Sequence, residues 1–263
     1  MNSRLVGNIR NIINSVFWPM VTFIVLFGVW ELIHRFGTWS DQVFPSPFVV
    51  LTSLKDLFEN GTLVKHMVAS LYRVTIGFYA AVLVGIPAGI LMGRLEFVGK
   101  LLNPLLQFLR PISPLAWIPL AMLWFGIGDV PAIFLIFLSS FFPLVVSTIA
   151  AVKSINPIYF QVAANLNFNT WEVTTMITLP AILPSVITAL RISITIAWLV
   201  VVAAEMIAVQ SGLGYLILDS RNALRMDYVM AGMIVIGAIG LVLDFLMRQL
   251  ERIESVQWGT QKK

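Results

Sequence analysis

The sequence predicts an all-α polytopic membrane protein with six transmembrane helices, on three observations. Of its 263 residues, 59% are hydrophobic and only 11% charged, where a soluble domain carries about a quarter charged residues. Apolar runs long enough for a ~30 Å hydrocarbon core recur along the whole chain. Polar connections separate these runs, the longest being residues 33–66 after the first and 153–181 between the fourth and fifth. The absence of cysteine excludes disulfides, thiolate metal sites and cysteine nucleophiles. The net charge of +4 is spread without a basic block, so membrane lipid, not nucleic acid, is the expected partner.

In chain order, Arg4 and Arg10 sit in a short tail, 1–15, ahead of span 1 at 16–32. No small-residue cleavage site follows that run, so it reads as an uncleaved span and not as a signal peptide. A long connection, 33–66, holds an amphipathic interfacial helix at 48–58, with Val49, Leu51, Leu54 and Phe58 near helical spacing opposite Lys55, Asp56 and Glu59. Span 2, 74–95, carries Gly85, Gly89 and Gly93 at four-residue intervals, a face that lets a neighbouring helix approach within the same subunit.

Span 3, within 101–125, holds Pro104, Pro111, Pro114 and Pro119. Such breaks survive in lipid only where the freed carbonyls meet protein or water. Arg110 lies beside the densest break, and two readings fit it: a pathway residue, or a side chain snorkelling to a membrane face. Span 4 (131–152) carries Ser140, span 5 (182–206) carries Arg191 and Glu205, and span 6 (228–250) precedes a tail, 251–263. Six spans put both termini on one side, and the lysine and arginine bias, with Arg94, Lys100 and Lys153 among the larger set, makes that side cytoplasmic. The segment 153–181 falls on the same side.

Within that segment Pro157 opens a first helix on which Ile158, Val162 and Leu166 share a face. Asn167 suits a left-handed C-terminal position. Asn169 and Glu172 form a capping box for a second helix, 170–179, which Pro180 is expected to stop. Two readings fit here as well: a hairpin lying on its own bundle, or an apolar knob that enters a groove on a partner.

These residues resemble the cytoplasmic EAA loop of permease subunits of ABC importers, whose form is E-A-A, three residues, G, nine residues, I-x-L-P. Gln161, Val162, Ala163, Asn167, Ile177, Leu179 and Pro180 stand at those places. The sequence departs from the pattern at Gln161, Val162 and Asn167. From Ser70 onward, stretches such as RPISPLAWIPLAMLWFGIG, ALRISITIAWLVVVAAEMI and SGLGYLILDS are similar to the nitrate, sulfonate, taurine and bicarbonate branch of that family.

The resemblance implies one permease domain over 1–263 with the type I importer fold, in a bacterial inner membrane. It implies a second permease copy, two cytoplasmic ABC ATPase subunits and a periplasmic solute-binding protein or lipoprotein as partners. The residues that would couple to the ATPase are Gln161, Val162, Ala163, Ala164, Leu166, Asn167, Glu172, Leu179 and Pro180. Candidates for the translocation path are Arg110, Ser113, Trp117, Ser140, Arg191 and Glu205, cations among them suiting a small oxyanion. Arg191 has a competing structural reading, an ion pair with Glu205 or Asp244 or a bond to the end of the EAA hairpin. No G-x-x-x-x-G-K-[ST] loop occurs, so ATP and Mg are expected on partner chains and no cofactor on this one. An intramembrane enzyme lacks support, because His34 and His66 lie in or beside the outer loop and no paired acids appear. An ion-coupled transporter without ATPase is the alternative, weakened because proline breaks concentrate in span 3 without a counterpart in the other half.

Overall fold

The computed structural model describes residues 2–40 and 42–251, with side chains from residue 17 onward, residue 19 excepted. The side chains of Arg4 and Arg10, and the tail from Arg252 to the C-terminus, lie outside the described residues. Among the described residues the chain is all helix and connection. Helix α1 (Asn2–Phe36) is one 35-residue rod, so the expected tail is helical over 2–15 and continuous with the first apolar run. Its described part is apolar all round: Phe23, Ile24, Leu26 and Phe36 are each more than half exposed, as a lipid-bathed helix requires. Trp30 donates its indole N–H to the carbonyl of Pro45 at 3.1 Å, fastening α1 to the loop that follows.

Helix α2 (Pro47–Glu59) starts where Ser46 caps the Val49 N–H and proline occupies the first helical position. The amphipathic helix is present, but its face is turned from the one expected. Val50, Ser53 and Leu57 are buried, while Leu51 and Phe58 point outward. The reason is tertiary: Ser53 donates to Asp227 at 2.7 Å, so a polar residue sits inward and two apolar ones meet lipid.

Helices α3 (Thr62–Arg94), α6 (Asp129–Lys153) and α9 (Leu179–Ala208) form the core. The small residues of α3 meet α6 along its length: a side chain at Gly77 would collide with Ile136, at Gly89 with Thr148 and at Gly93 with Val152. With Ala81 fully buried between Gly77 and Gly85, small residues recur every fourth position, and the two backbones close on each other. The expected within-subunit packing of the glycine face is therefore what the fold uses.

Helices α4 (Glu96–Leu109) and α5 (Ile118–Phe125) flank a 3₁₀ turn, Pro114–Trp117, and together bend by 86°. The expected break within 101–125 is therefore present, as a bent pair of helices. Pro87, Pro104, Pro143 and Pro184 sit inside helices without ending them, whereas Pro111 and Pro114 fall at the bend. After α7 (Pro157–Asn165) and α8 (Thr170–Glu172), a π-helical stretch, Val173–Thr178, leads into α9. The chain closes with α10 (Leu213–Asn222) and α11 (Met226–Glu251). The Trp198 indole on α9 donates to the Ile236 carbonyl at 3.0 Å, holding α11 to the core. Among the described residues four helices are long and apolar enough to cross a membrane, or five if the bent pair counts as one span.

Candidate coupling segment and translocation groove

The polar segment after α6 folds as a helical hairpin whose turn is made by short-range chemistry. Asn156 caps α7 by accepting from the Ile158 N–H at 3.0 Å, with Pro157 at the first helical position. At its other end Asn167 adopts φ 56°; its N–H reaches Ala164 O at 3.1 Å and the Phe168 N–H reaches Ala163 O at 3.0 Å. These two bonds are the Schellman arrangement, and asparagine supplies the left-handed residue usually taken by glycine. The capping box is also present: Glu172 N–H donates to Asn169 at 2.9 Å, and Asn169 N–H donates to Glu172 at 2.7 Å.

The hairpin buries one face and presents the other. Ala163 is 1% exposed, and Phe160 packs on Ala151, Val152, Ile155 and Ile182. Ile158, Val162 and Leu166 are 55%, 50% and 62% exposed, an apolar ridge at successive turns that no described residue covers. Trp171 adds a fourth large apolar side chain at 75%. Gln161, Ala164 and Asn167 are exposed beside the ridge, as are Leu179 and Pro180 further along. Arg94 at the end of α3 donates to the Thr174 hydroxyl and to the Thr170 carbonyl, tethering the second helix to the core.

One expectation fails here. Pro180 does not stop the second helix, because 170–208 runs on as a single apolar helix of 39 residues. The π-helical stretch before it explains why: Leu179 N–H bonds Thr174 O, one residue further back than in an α-helix. That wider turn relieves the clash of the proline ring with the carbonyl four residues earlier. The second arm of the hairpin is therefore continuous with α9, and Trp171 stands on the same helix as the core residues of α9.

The candidate path residues do not converge. Arg110 ends α4 exposed, with no ion pair among the described residues. It borders a cavity of about 370 Å³ that Ser139, Ser147 and Ile196 also line, and a second of about 760 Å³ bordered by Asn103 and Gln107. Ser113 is exposed at the bend, and Trp117 packs beside Ile118 and Ala132. Ser140 is fully buried with its hydroxyl unpartnered, so its neighbours Ser139 and Ser147 face the groove instead. Arg191 is held in the seam between α9 and α11, donating to Asp244 at 2.7 Å and Glu251 at 3.2 Å.

Glu205 is 0% exposed and belongs to a buried knot at the end of the bundle opposite the hairpin. It accepts from Arg73 at 2.6 Å, Ser70 at 2.8 Å and the Gly214 N–H at 3.0 Å. Arg73, itself 2% exposed, also donates to Asp129 at 2.8 Å, the Ser211 carbonyl at 2.8 Å and the Ser211 hydroxyl. The His66 ring accepts the Gly212 N–H at 3.0 Å. Gly212 has φ 103°, and a side chain there would strike the Glu205 carboxylate. The acids of spans 5 and 6 thus do not stand alone. Arg73 gave no sequence signal beyond a charge at a span edge, because its partner lies 132 residues away.

The model of the family described as "Binding-protein-dependent transport system inner membrane component" matches residues 85–253. The chain belongs to that family. The family places it among transport components and decides against the ion-coupled alternative. As a binding-protein-dependent permease, it is 38% identical over 236 residues to the taurine transport system permease protein TauC of Escherichia coli, covering 88% of this chain and 86% of that one. It is 36% identical over 248 residues to the nitrate import permease protein NrtB of Synechocystis, covering 91% and 89%. In fold this permease resembles a chain of the inward-facing MetNI methionine ABC transporter, with a TM-score of 0.57, 17% identity and coverage of 73% of this chain and 97% of that chain.

Proposed function

We propose that this permease is the membrane subunit of an ATP-driven importer and forms the path for a small oxyanion, such as nitrate, bicarbonate, taurine or another sulfonate. The observation that carries the coupling half of this reading is the exposed ridge Ile158–Val162–Leu166 on a hairpin continuous with α9. A groove on a cytoplasmic ATPase would take that ridge, and its movement with nucleotide state would tilt α9 against α6. The oxyanion half rests on Arg110, a guanidinium without an ion pair among the described residues, at a bent helix pair beside the serine-lined cavity, and on relatives named for such anions.

In this reading the chain spans the bacterial inner membrane six times, α1 and the bent pair included, with both termini in the cytoplasm. It pairs with a second copy of itself, two ATPase subunits and a periplasmic binding protein or lipoprotein. Gln161, Val162, Ala163, Ala164, Leu166, Asn167, Glu172, Leu179 and Pro180 would serve coupling, and Arg110, Ser113 and Trp117 the path. Arg191, Ser140 and Glu205 would act on the path only through helix packing.

The test is reconstitution of the chain with its ATPase and binding protein in vesicles, followed by uptake of labelled nitrate, bicarbonate and taurine. ATP-dependent uptake of one anion, abolished by Leu166→Asp while the subunit stays folded, is the expected result. Uptake driven by an ion gradient without ATP would overturn the proposal.

A further inference from the structure

A hollow at the Arg94 end of the bundle lies apart from the exposed ridge and meets the Arg110 groove only at Asn103. It measures about 270 Å³ and lies where α3, α4 and α6 converge, lined by Arg94, Glu96, Lys100, Asn103 and Lys153. Three cations thus face one carboxylate. Lys100 is paired with Glu96 at 2.8 Å, and Lys153 is exposed with no ion pair among the described residues. Arg94 is half-buried and bonded only to neutral oxygens, those of Thr170 and Thr174. Leu95 at the N-cap of α4 offers no side-chain acceptor, so the first-turn N–H groups of that helix add to the positive end. Lys153 in the last turn of α6 also suits the helix dipole, but that role alone would require neither Arg94 nor Lys100 to face it.

The surroundings are apolar. Leu91, Leu95, Phe97 and Leu101 are each more than half exposed, so the cationic hollow opens at the rim of a lipid-facing belt. Cations at such a rim meet the phosphate layer of a membrane or the oxyanions of the adjoining solution.

We propose that this hollow binds a phosphate-type oxyanion, with Arg94, Lys100 and Lys153 as its cations. The group comes either from the head of an anionic phospholipid or from a free anion. Because the Arg94 guanidinium also holds Thr174, an occupant would draw on the tether of the hairpin to α3, making occupancy a lever on the coupling segment. That second effect rests on the coupling reading above; the binding does not.

The test uses the purified full-length chain in detergent, titrated with dioleoylphosphatidylglycerol, with dioleoylphosphatidylcholine and separately with sodium phosphate against sodium chloride at equal ionic strength. Native mass spectrometry reads retained lipid, and thermal melting reads free anion. A lipid source predicts retention of phosphatidylglycerol over phosphatidylcholine, falling about fivefold in Lys153→Gln, the weight of one interfacial lysine. A free-anion source predicts instead a phosphate-specific rise in melting temperature that Lys153→Gln removes. Lys153→Arg should keep either response, and Lys55→Gln, on α2 away from the hollow, should not alter it. No preference for either anion, or a preference unchanged in Lys153→Gln, overturns the site. If binding persists while Leu166→Asp leaves ATP-driven uptake intact, the coupling reading fails and the site stands.

Discussion

The two ends of this bundle are built on opposite principles. At one end Arg73 and Glu205 are buried with Ser70 and the loop at Gly212, the half-exposed Asp129 bonds Arg73 from the rim, and nearly every donor and acceptor finds a partner inside the protein. At the other, Ile158, Val162, Leu166 and Trp171 are left bare, and a single guanidinium, Arg94, ties the second hairpin helix to α3. A buried ion pair strongly penalises any motion that separates its members, because each charge would be left in low dielectric. The hairpin is anchored through Ala163, Phe160 and its continuity with α9, but its outer ridge has no buried charge to separate. On the function proposed above, the first end would stay rigid and the second would transmit movement, with α9 running between them.

Breaking the knot should have the largest effect. Glu205→Gln leaves Arg73 buried with less compensation and should cost about 3–5 kcal/mol, read as loss of the monodisperse peak on heating in detergent. A melting midpoint equal to that of the unmodified chain would remove the claim of rigidity. Leu166→Asp should show the reverse profile. Stability should change by no more than about 0.5 kcal/mol, as for an exposed site, while binding to the ATPase falls by about 2 kcal/mol or more if Leu166 is an anchor. Co-purification of the two subunits measures it. Ala163→Asp is a poorer probe, since Ala163 is 1% exposed and its replacement would disturb the hairpin itself.

Smaller changes sharpen the picture at the hairpin. Asn169→Ala removes the cap of the second helix and should cost about 1 kcal/mol, seen as faster amide exchange across 170–178 with the knot unaffected. Asn167→Gly should be nearly silent, within about 0.5 kcal/mol, because glycine tolerates the left-handed conformation at least as well. Loss of coupling in Asn167→Gly would mean that the asparagine side chain itself, not the turn, is recognised.

Much of the hairpin was legible in the sequence: the capping box, the left-handed asparagine and the ridge at 158, 162 and 166 all depend on neighbours within a few residues. So was the glycine face of α3, whose four-residue spacing has one efficient use. The continuation past Pro180 was not, because a π turn has no composition signal and proline ordinarily ends a helix. The groove was legible only in part. Arg110 was marked by its prolines, while Ser140 could not be told from Ser139 or Ser147 until the orientation of α6 was known.

The sequence by itself determined where the apolar helices lie, where the third span breaks and how the polar hairpin is capped, because these follow from helical periodicity and backbone chemistry over short distances. Only the tertiary structure decided which charges belong together. Arg73 meets Glu205 across 132 residues and Arg191 meets Asp244 across 53. A charged residue in an apolar span must find a partner, but its identity is set by which helix faces meet, and that is a property of the packed bundle.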